Sequence, residues 1–200
     1  MPTGRRYCWD SCVFISLLTK LGRTDEELAH LVALETLCDD GDVYIFTPSI
    51  TLIEVLACKL TPEQETLFQG MLQRSNVEVV SVSRRIATIA REIRNHYRMI
   101  GEEIAVPDSI HIATAIHFGA TALHTYDGCG KRKRKMDLLS LPVPIIGKYD
   151  LTICKPTPPP ESTPEIKELI TELRTPSLFE RMEAGEYEEG SAMPSTEGGN

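Results

Sequence analysis

Short runs of β-prone residues alternate along this chain with longer segments of helical periodicity, and this alternation most restricts the fold. Strands are predicted at residues 6–9, 43–46, 77–80, 122–126 and 144–147. Strands that alternate with helices form parallel sheets covered on both faces. The sequence therefore predicts an α/β protein: a three-layer α/β/α sandwich with a central, mostly parallel sheet.

Local signals predict where several helices begin. Thr47-Pro48 and Thr61-Pro62 each combine a capping hydroxyl with a proline suited to the first helical position. The first pair is predicted to open the helix that carries Glu54. A further helix is predicted to begin at Pro107-Asp108 and to continue through Phe118.

Composition divides the 200 residues into two regions. Residues 1–154 are predicted to form the folded domain, and residues 155–200 a Pro-rich linker, a short amphipathic helix and an acidic, disordered tail. The net charge is −8, and the tail, with four basic and ten acidic residues, accounts for −6 of it. The acidity therefore says little about what the folded domain binds.

The chain contains no run of about 18 apolar residues that could span a bilayer. The six cysteines form neither a CxxC pair nor a Cys/His set with zinc spacing, and most lie in apolar contexts. They are interpreted as reduced structural thiols, and a cytoplasmic protein without membrane contact is expected.

Four acidic residues stand in core-like sequence, where carboxylates are rarely buried without a partner. They are Asp10, Glu54, Asp108 and Asp127. None has an obvious neighbouring Lys or Arg, so a shared divalent cation is the natural partner. Asp10 and Asp127 both follow predicted strands, and ligands of parallel sheets bind beyond the carboxyl ends of the strands.

Hard oxygen ligands of this kind suit Mg²⁺ or Mn²⁺. Two such ions can activate a water and hold a phosphodiester, so the four acids favour phosphodiester hydrolysis. Each acid alone has an ordinary explanation: Asp108 as a helix cap, Asp127 in a turn, Glu54 facing solvent. Ser11 and Thr125 stand beside the acids and are predicted to orient them.

Four segments carry a resemblance to a known family, each centred on one of the acids: residues 9–15, 48–55, 107–115 and 124–127. Together they resemble the signature segments of PIN-domain ribonucleases, which include the VapC-type toxins of bacterial toxin–antitoxin pairs. The order agrees, and so does the separation of 19 residues between the last two acids. The resemblance covers roughly residues 5–147.

The resemblance implies an endoribonuclease that depends on Mg²⁺ or Mn²⁺, with Asp10, Glu54, Asp108 and Asp127 as the catalytic and metal-binding acids. It implies Ser11 and Thr125 as supporting polar groups. RNA is the implied substrate, and the toxin interpretation adds an antitoxin protein as a partner. Helix-mediated pairing is common among PIN-type domains, so a homodimer is also expected.

One basic run follows Asp127 closely and is predicted to contact RNA phosphates near the mouth of the site. A solvated loop and a nuclear-import signal are the alternatives. The run consists of Lys131, Arg132, Lys133, Arg134 and Lys135.

The sequence leaves the roles of two further features undecided. Arg91, Arg94 and Arg98 share one face of a long helix, as solvent-exposed residues commonly do. His111 lies three residues after Asp108 on the same helix face; it is interpreted as a core histidine, with a general-base role as the alternative.

The preferred hypothesis is therefore a metal-dependent endoribonuclease, the toxin of a type II toxin–antitoxin pair. The alternative is a non-catalytic PIN-like module that binds RNA or protein. The four acids argue against it, because concentrated negative charge does not help to bind RNA. A phosphatase, which would use the same metals on a small substrate, is the third reading.

Overall fold

A single sheet of five parallel strands forms the centre of the structure, a computed structural model that describes residues 4–128 and 136–160 and the single positions 164, 167, 168, 170 and 171. The strands are β1 (Arg5–Trp9), β2 (Val43–Pro48), β3 (Val77–Val80), β4 (Ala122–His124) and β5 (Thr152–Cys154). The helices are α1 (Ser11–Thr19), α2 (Asp25–Asp39), α3 (Ile50–Leu56), α4 (Pro62–Leu72), α5 (Arg84–Met99) and α6 (Val106–Phe118).

The strand order β3-β2-β1-β4-β5 places β1 at the centre of the sheet. The chain builds outward from β1 through β2 and β3, then crosses to the other side for β4 and β5. Such a change of direction leaves a crevice beyond the carboxyl ends of the two central strands, here β1 and β4. The residues that follow Trp9 and His124 therefore lie at this switch point.

Two hydrophobic cores cover the two faces of the sheet, so the predicted three-layer α/β/α architecture is confirmed. Tyr7 and Trp9 of β1 face one core, which includes side chains of α1, α2 and α4. Cys8, between them in sequence, faces the other core, built mainly with α5 and α6. This alternation is the period-2 pattern of a strand buried on both faces.

Local capping explains where several helices begin, including the start predicted at Thr61-Pro62. Thr61 caps α4 in a reciprocal capping box with Gln64, and Pro62 stands in the first turn. Ser83 caps α5 through the amide of Ile86. In α6 the cap position is Ala105, and Asp108 stands in the first turn, so Asp108 is not the helix cap.

The predicted helix start at Thr47-Pro48 is wrong. Both residues belong to β2, which pairs with β3 as far as Pro48, and α3 begins only at Ile50. The Thr47 hydroxyl donates instead to the carbonyl of Trp9 at 2.8 Å and pairs with the Thr51 hydroxyl. Thr47 thus ties the ends of β1 and β2 together, a long-range role that the local Thr-Pro signal does not show.

The predicted fifth strand at residues 144–147 is also wrong. Ile145 and Tyr149 form an isolated antiparallel bridge around a turn in which Ile146 and Gly147 have positive φ angles. Ile145 is fully buried, which explains the strand-like apolar pattern. The fifth strand is β5, three residues long at the sheet edge, directly before the Pro-rich segment.

Residues beyond 154 remain in contact with the body of the protein. Lys155 forms an ion pair with Glu27 at 2.8 Å, and Pro156 is buried. Ile170 packs, half-buried, against the core that contains α1 and α2. The division of the chain at residue 154 stays a prediction, and most of the predicted helix and tail lies outside the described residues.

Within the part of the chain that the structure describes, no helix has both the length and the apolar character needed to cross a membrane. The five described cysteines are free.

His124 provides a test of the core. Its ring stacks on Tyr7 with centroids 4.3 Å apart, and burial lowers its pKa from 6.5 to about 3. Unfolded chains therefore bind a proton between pH 3 and 6.5 that the folded protein does not. Stability should fall as the pH drops through this window, by up to ~1.4 kcal/mol per pH unit from this group.

We expect His124→Phe to reduce this acid sensitivity while keeping an aromatic ring against Tyr7. Urea unfolding at pH 7, 6, 5 and 4 measures it. The exposed His117, changed to Asn, is the control and should leave the pH dependence unchanged. Equal slopes for wild type and His124→Phe would show that His124 is not buried as a neutral ring.

Candidate active site

Asp10 is the most tightly held of the four acids. It follows β1 directly, its side chain is 8% exposed, and it caps α1. Its Oδ1 accepts hydrogen bonds from the amide of Ser11 at 2.6 Å and the Ser11 hydroxyl at 3.2 Å. Its Oδ2 accepts from the Thr125 hydroxyl at 2.8 Å and the Cys12 thiol at 3.1 Å. These four donors fix the orientation of the carboxylate.

Glu54 points into the same site from α3. Its Oε2 lies 2.9 Å from Nε2 of His111, and the same nitrogen lies 3.3 Å from Oδ1 of Asp10. Ionised carboxylates only accept hydrogen bonds, so Nε2 carries the proton that both share. The Glu54 side chain is 26% exposed, which leaves it open to solvent on one side.

Thr125 connects Asp10 to Asp127. Its hydroxyl donates to Asp10 and accepts from the amide of Asp127 at 3.0 Å. The Asp127 carboxylate also accepts from the amide of Leu138 at 3.2 Å, so its loop is tied to a short 3₁₀ helix that follows. Thr125 thus holds the acids after β1 and β4 in register.

The negative charges of the other acids change the pKa of Asp108. Burial first, and then the negative charges of Asp10, Asp127 and Glu54, together raise its pKa from 3.8 to about 6. His111 acts in the opposite direction. Asp108 therefore lies in the electrostatic field of the other three acids.

His111 is a core histidine by burial and a site residue by contact. It is fully buried, and no hydrogen-bond partner for its Nδ1 is found in the described structure. Burial lowers its pKa, but the charge of Asp10 and the hydrogen bond with Glu54 outweigh burial, so the pKa of His111 lies above its ordinary value. In the sequence, the sign of a role in the site was the spacing of three residues from Asp108. This spacing alone did not decide between a core histidine and a general base.

Cys12 was missed by the sequence reasoning, which treated it as a structural thiol. Burial, and then the charge of Asp10, raise its pKa well above the ordinary value. It therefore stays a protonated thiol that can donate to Asp10, while its sulfur accepts from the amide of Tyr126 at 3.2 Å. Its position two residues after Asp10 was the available signal.

The donor set fits a divalent cation. One oxygen of Asp10, one oxygen of Glu54 and Nε2 of His111 lie within 4.8 Å of one another. Asp108 and Asp127 do not belong to this group of three, although the charges of Asp10, Glu54 and Asp127 all act on Asp108. The carboxylate oxygens suit Mg²⁺ and Mn²⁺, and Nε2 of His111 could bind a cation only after losing the proton that Asp10 and Glu54 share.

Comparison with protein families decides the classification. The family model described as PIN domain matches residues 7–134, which contain all four acids. The chain belongs to the PIN domain family. PIN domains are generally nucleases that use divalent metal ions.

Among solved structures, three similar chains show 21–22% identity. VapBC2 from Rickettsia felis, bound to a promoter DNA fragment, has a TM-score of 0.48 over 60% of this chain and 86% of its own. FitAcB from Neisseria gonorrhoeae has 0.47 over 75% and 97%, and FitAB bound to IR36 DNA has 0.46 over 75% and 94%. No curated protein is significantly similar to the chain.

The basic run at residues 131–135 lies outside the described residues, so its predicted contact with RNA stays a prediction. The hydroxyls of Ser11 and Thr125 both donate to Asp10, and the supporting role predicted for these two residues can be tested directly.

We expect Thr125→Val to weaken Mn²⁺ binding roughly 10- to 100-fold, because Asp10 loses a donor that orients it. The loss of two buried hydrogen bonds should also cost about 1–3 kcal/mol of stability. Calorimetric Mn²⁺ titration and urea unfolding measure the two effects. Thr125→Ser keeps the hydroxyl and should bind Mn²⁺ nearly as wild type does; a Val variant with unchanged Mn²⁺ affinity would contradict the orienting role.

The raised pKa of Asp108 predicts how cation binding depends on pH. Metal binding requires the ionised carboxylate, so Mn²⁺ affinity should decline as the pH falls below about 6. In the metal-free protein the same group lowers stability as pH rises from 3.8 to about 6.

Both trends can be followed by thermal unfolding with and without Mn²⁺ between pH 5 and 8. In Asp108→Asn the step in Mn²⁺ stabilisation near pH 6 should disappear. If that step persists unchanged in the variant, its origin lies in another group.

Proposed function

We propose that this PIN-domain protein is an endoribonuclease that depends on Mg²⁺ or Mn²⁺ and hydrolyses RNA phosphodiester bonds. The observation that supports it is the meeting of Asp10, Glu54 and His111 at the switch point of the sheet, with the charges of Asp10, Glu54 and Asp127 acting on Asp108. The proposed catalytic and metal-binding acids are Asp10, Glu54, Asp108 and Asp127.

The arrangement assigns different tasks to the acids. Asp10 is held by four donors, and this fixed carboxylate is the proposed anchor for a cation. Glu54 is 26% exposed and Asp108 is half-buried, so we assign to these two acids the contacts with substrate and water. A divalent cation bound here supplies Lewis-acid polarisation of a phosphodiester oxygen and lowers the pKa of water.

His111 keeps the two sides of the site at a fixed separation. Its Nε2 proton is shared between Asp10 and Glu54, so it offsets repulsion between these carboxylates. We assign it this positioning task because its ring is fully buried and has no open path to a substrate.

The non-catalytic binding module is the weaker alternative. A surface that only bound RNA would gain nothing from several carboxylates facing a polyanion. A phosphatase uses the same cation chemistry, and the choice of RNA over a small phosphate ester rests on the PIN family.

The toxin role, an antitoxin protein as partner, a homodimer and a cytoplasmic location remain predictions from the family resemblance and composition. Controlled expression in a bacterial host tests the toxin role: wild-type chain should arrest growth, and Asp10→Asn should not. Growth unaffected by the active protein would contradict it.

The central test is Asp10→Asn in the full chain. We expect loss of RNA cleavage by at least about 100-fold, because the amide cannot supply the charge that anchors the cation. EDTA should abolish wild-type cleavage and added Mn²⁺ should restore it. Cleavage is measured on a labelled structured RNA by gel electrophoresis.

Asp40→Asn is the matched control, because Asp40 is an exposed acid at the end of α2 and forms no part of the site. It should cleave as wild type does. Unfolding midpoints are measured to check that Asp10→Asn remains folded. Full RNA cleavage by Asp10→Asn, or by wild type in EDTA, would contradict the proposed mechanism.

A substrate panel separates the remaining alternatives. The wild-type protein is incubated with Mn²⁺ and either structured RNA or a chromogenic phosphate ester. Cleavage of RNA alone is the expected result. Hydrolysis of the ester alone would indicate a phosphatase, and inactivity on both, with no stabilisation by Mn²⁺, would indicate the binding module.

A further inference from the structure

Helix α5 carries an unusual concentration of positive charge for an acidic protein. It contains five arginines and a single glutamate. Three of the arginines follow each other at helical spacing on one face: Arg91, Arg94 and Arg98. With a rise of about 1.5 Å per residue they form a stripe about 10 Å long.

This stripe borders a groove between α5 and α6. The groove has a volume of about 320 Å³ and is lined by all three arginines and Asn95 from α5, with Ser109 and Ile110 from α6. No acidic side chain lines it. Within residues 4–128 and 136–160, no ion pair engages any of the three guanidinium groups.

Arg94 is held in place before any ligand arrives. It is half-buried, and its Nε donates to the carbonyl of Ile104 at 3.2 Å. The terminal nitrogens of its guanidinium remain available as a planar pair of donors, the geometry that binds phosphate oxygens. Arg91 and Arg98 flank it and are exposed.

A neighbouring cavity on the other side of α5 shows why this groove is distinctive. That cavity shares Arg91 and Asn95, and its additional cation is Lys148. Lys148 is already paired with Glu92 at 2.7 Å. Unneutralised positive charge is therefore concentrated on the side that faces α6.

The groove reaches the first turn of α6, the turn that carries Asp108. Ser109, which lines the groove, directly follows Asp108, whose carboxyl group feels the charges of Asp10 and Asp127. A polyanion lying along the arginines would therefore pass beside the first turn of α6, where Asp108 stands.

We propose that the α5–α6 groove binds the phosphate backbone of single-stranded RNA on one side of the scissile bond, through Arg91, Arg94 and Arg98. This inference rests on the proposed ribonuclease function and adds the path of its substrate. The contacts are to phosphates, so they position the strand without reading its sequence. Positively charged grooves of this kind follow the backbone of single strands.

The test measures binding separately from cleavage. A fluorescently labelled single-stranded RNA of about 12 nucleotides is titrated with full-length protein in EDTA, at several salt concentrations. Arg91→Gln, Arg94→Gln and Arg98→Gln are each expected to weaken binding roughly three- to tenfold. Each should reduce the slope of log K against log salt concentration by about 0.7.

Arg84→Gln is the matched control: it removes the same charge from the same helix, at an exposed position outside the groove. It should stay within about twofold of wild type. An equal loss of RNA affinity in Arg84→Gln would mean that only the total charge of the protein matters, and would overturn the proposal. Unchanged RNA affinity in the three groove variants would also overturn it.

The alternative occupant is an acidic peptide, and the chain's own residues 180–189 supply the sequence for one. A labelled peptide of that sequence is titrated alongside the RNA. Arginine-dependent binding of the peptide without binding of RNA would overturn the proposal.

Binding and cleavage results also separate this inference from the proposed function. Weaker RNA binding in the groove variants, with no cleavage by wild type, would keep the groove and reject the nuclease. Cleavage that is equally efficient in the groove variants and wild type, with KM unchanged, would keep the nuclease and reject the groove.

Discussion

Mutual repulsion among carboxylates at one edge of the sheet is the constraint on which the site depends. Two unit charges about 4 Å apart repel by ~4 kcal/mol at an effective dielectric constant near 20. Several ionised acids therefore cannot share this space without compensation. Donors fix Asp10, the proton of His111 lies between Asp10 and Glu54, and Asp108 keeps its own proton up to about pH 6. A cation would replace these partial compensations with one direct partner.

The sheet makes this concentration of charge possible because its topology supplies rigid anchor points. Asp10 follows the central strand β1, and its amide donates to the carbonyl of His124 at the end of β4. Thr47 ties the end of β2 to β1, and Thr125 ties the segment after β4 to Asp10. The acids are thus held by buried backbone and hydroxyl contacts, which resist the repulsion that would otherwise separate them.

The sequence was sufficient to predict the positions of those acids that follow the ends of strands. Asp10 and Asp127 each follow an apolar run, so their proximity follows from parallel pairing alone. The direction of the Glu54 side chain depends on where α3 begins. The Thr47-Pro48 signal predicted this start too early, because a local signal does not reveal the long-range hydrogen bond from Thr47 to Trp9. The role of His111 depends on three elements meeting, which local spacing cannot specify. The edge strand β5 was missed because three residues carry too little periodicity.

Acidic site and basic groove solve complementary parts of one problem. Carboxylates that hold a cation also repel the phosphates of a substrate, so binding energy must come from elsewhere on the protein. Arginines placed along α5 can attract the backbone at a distance where they do not neutralise the acids. Direct ion pairs between these arginines and Asp108 would remove both functions. In the proposed arrangement, α5 holds the guanidinium groups apart from the acids, so the acids can serve a cation while the arginines serve phosphate.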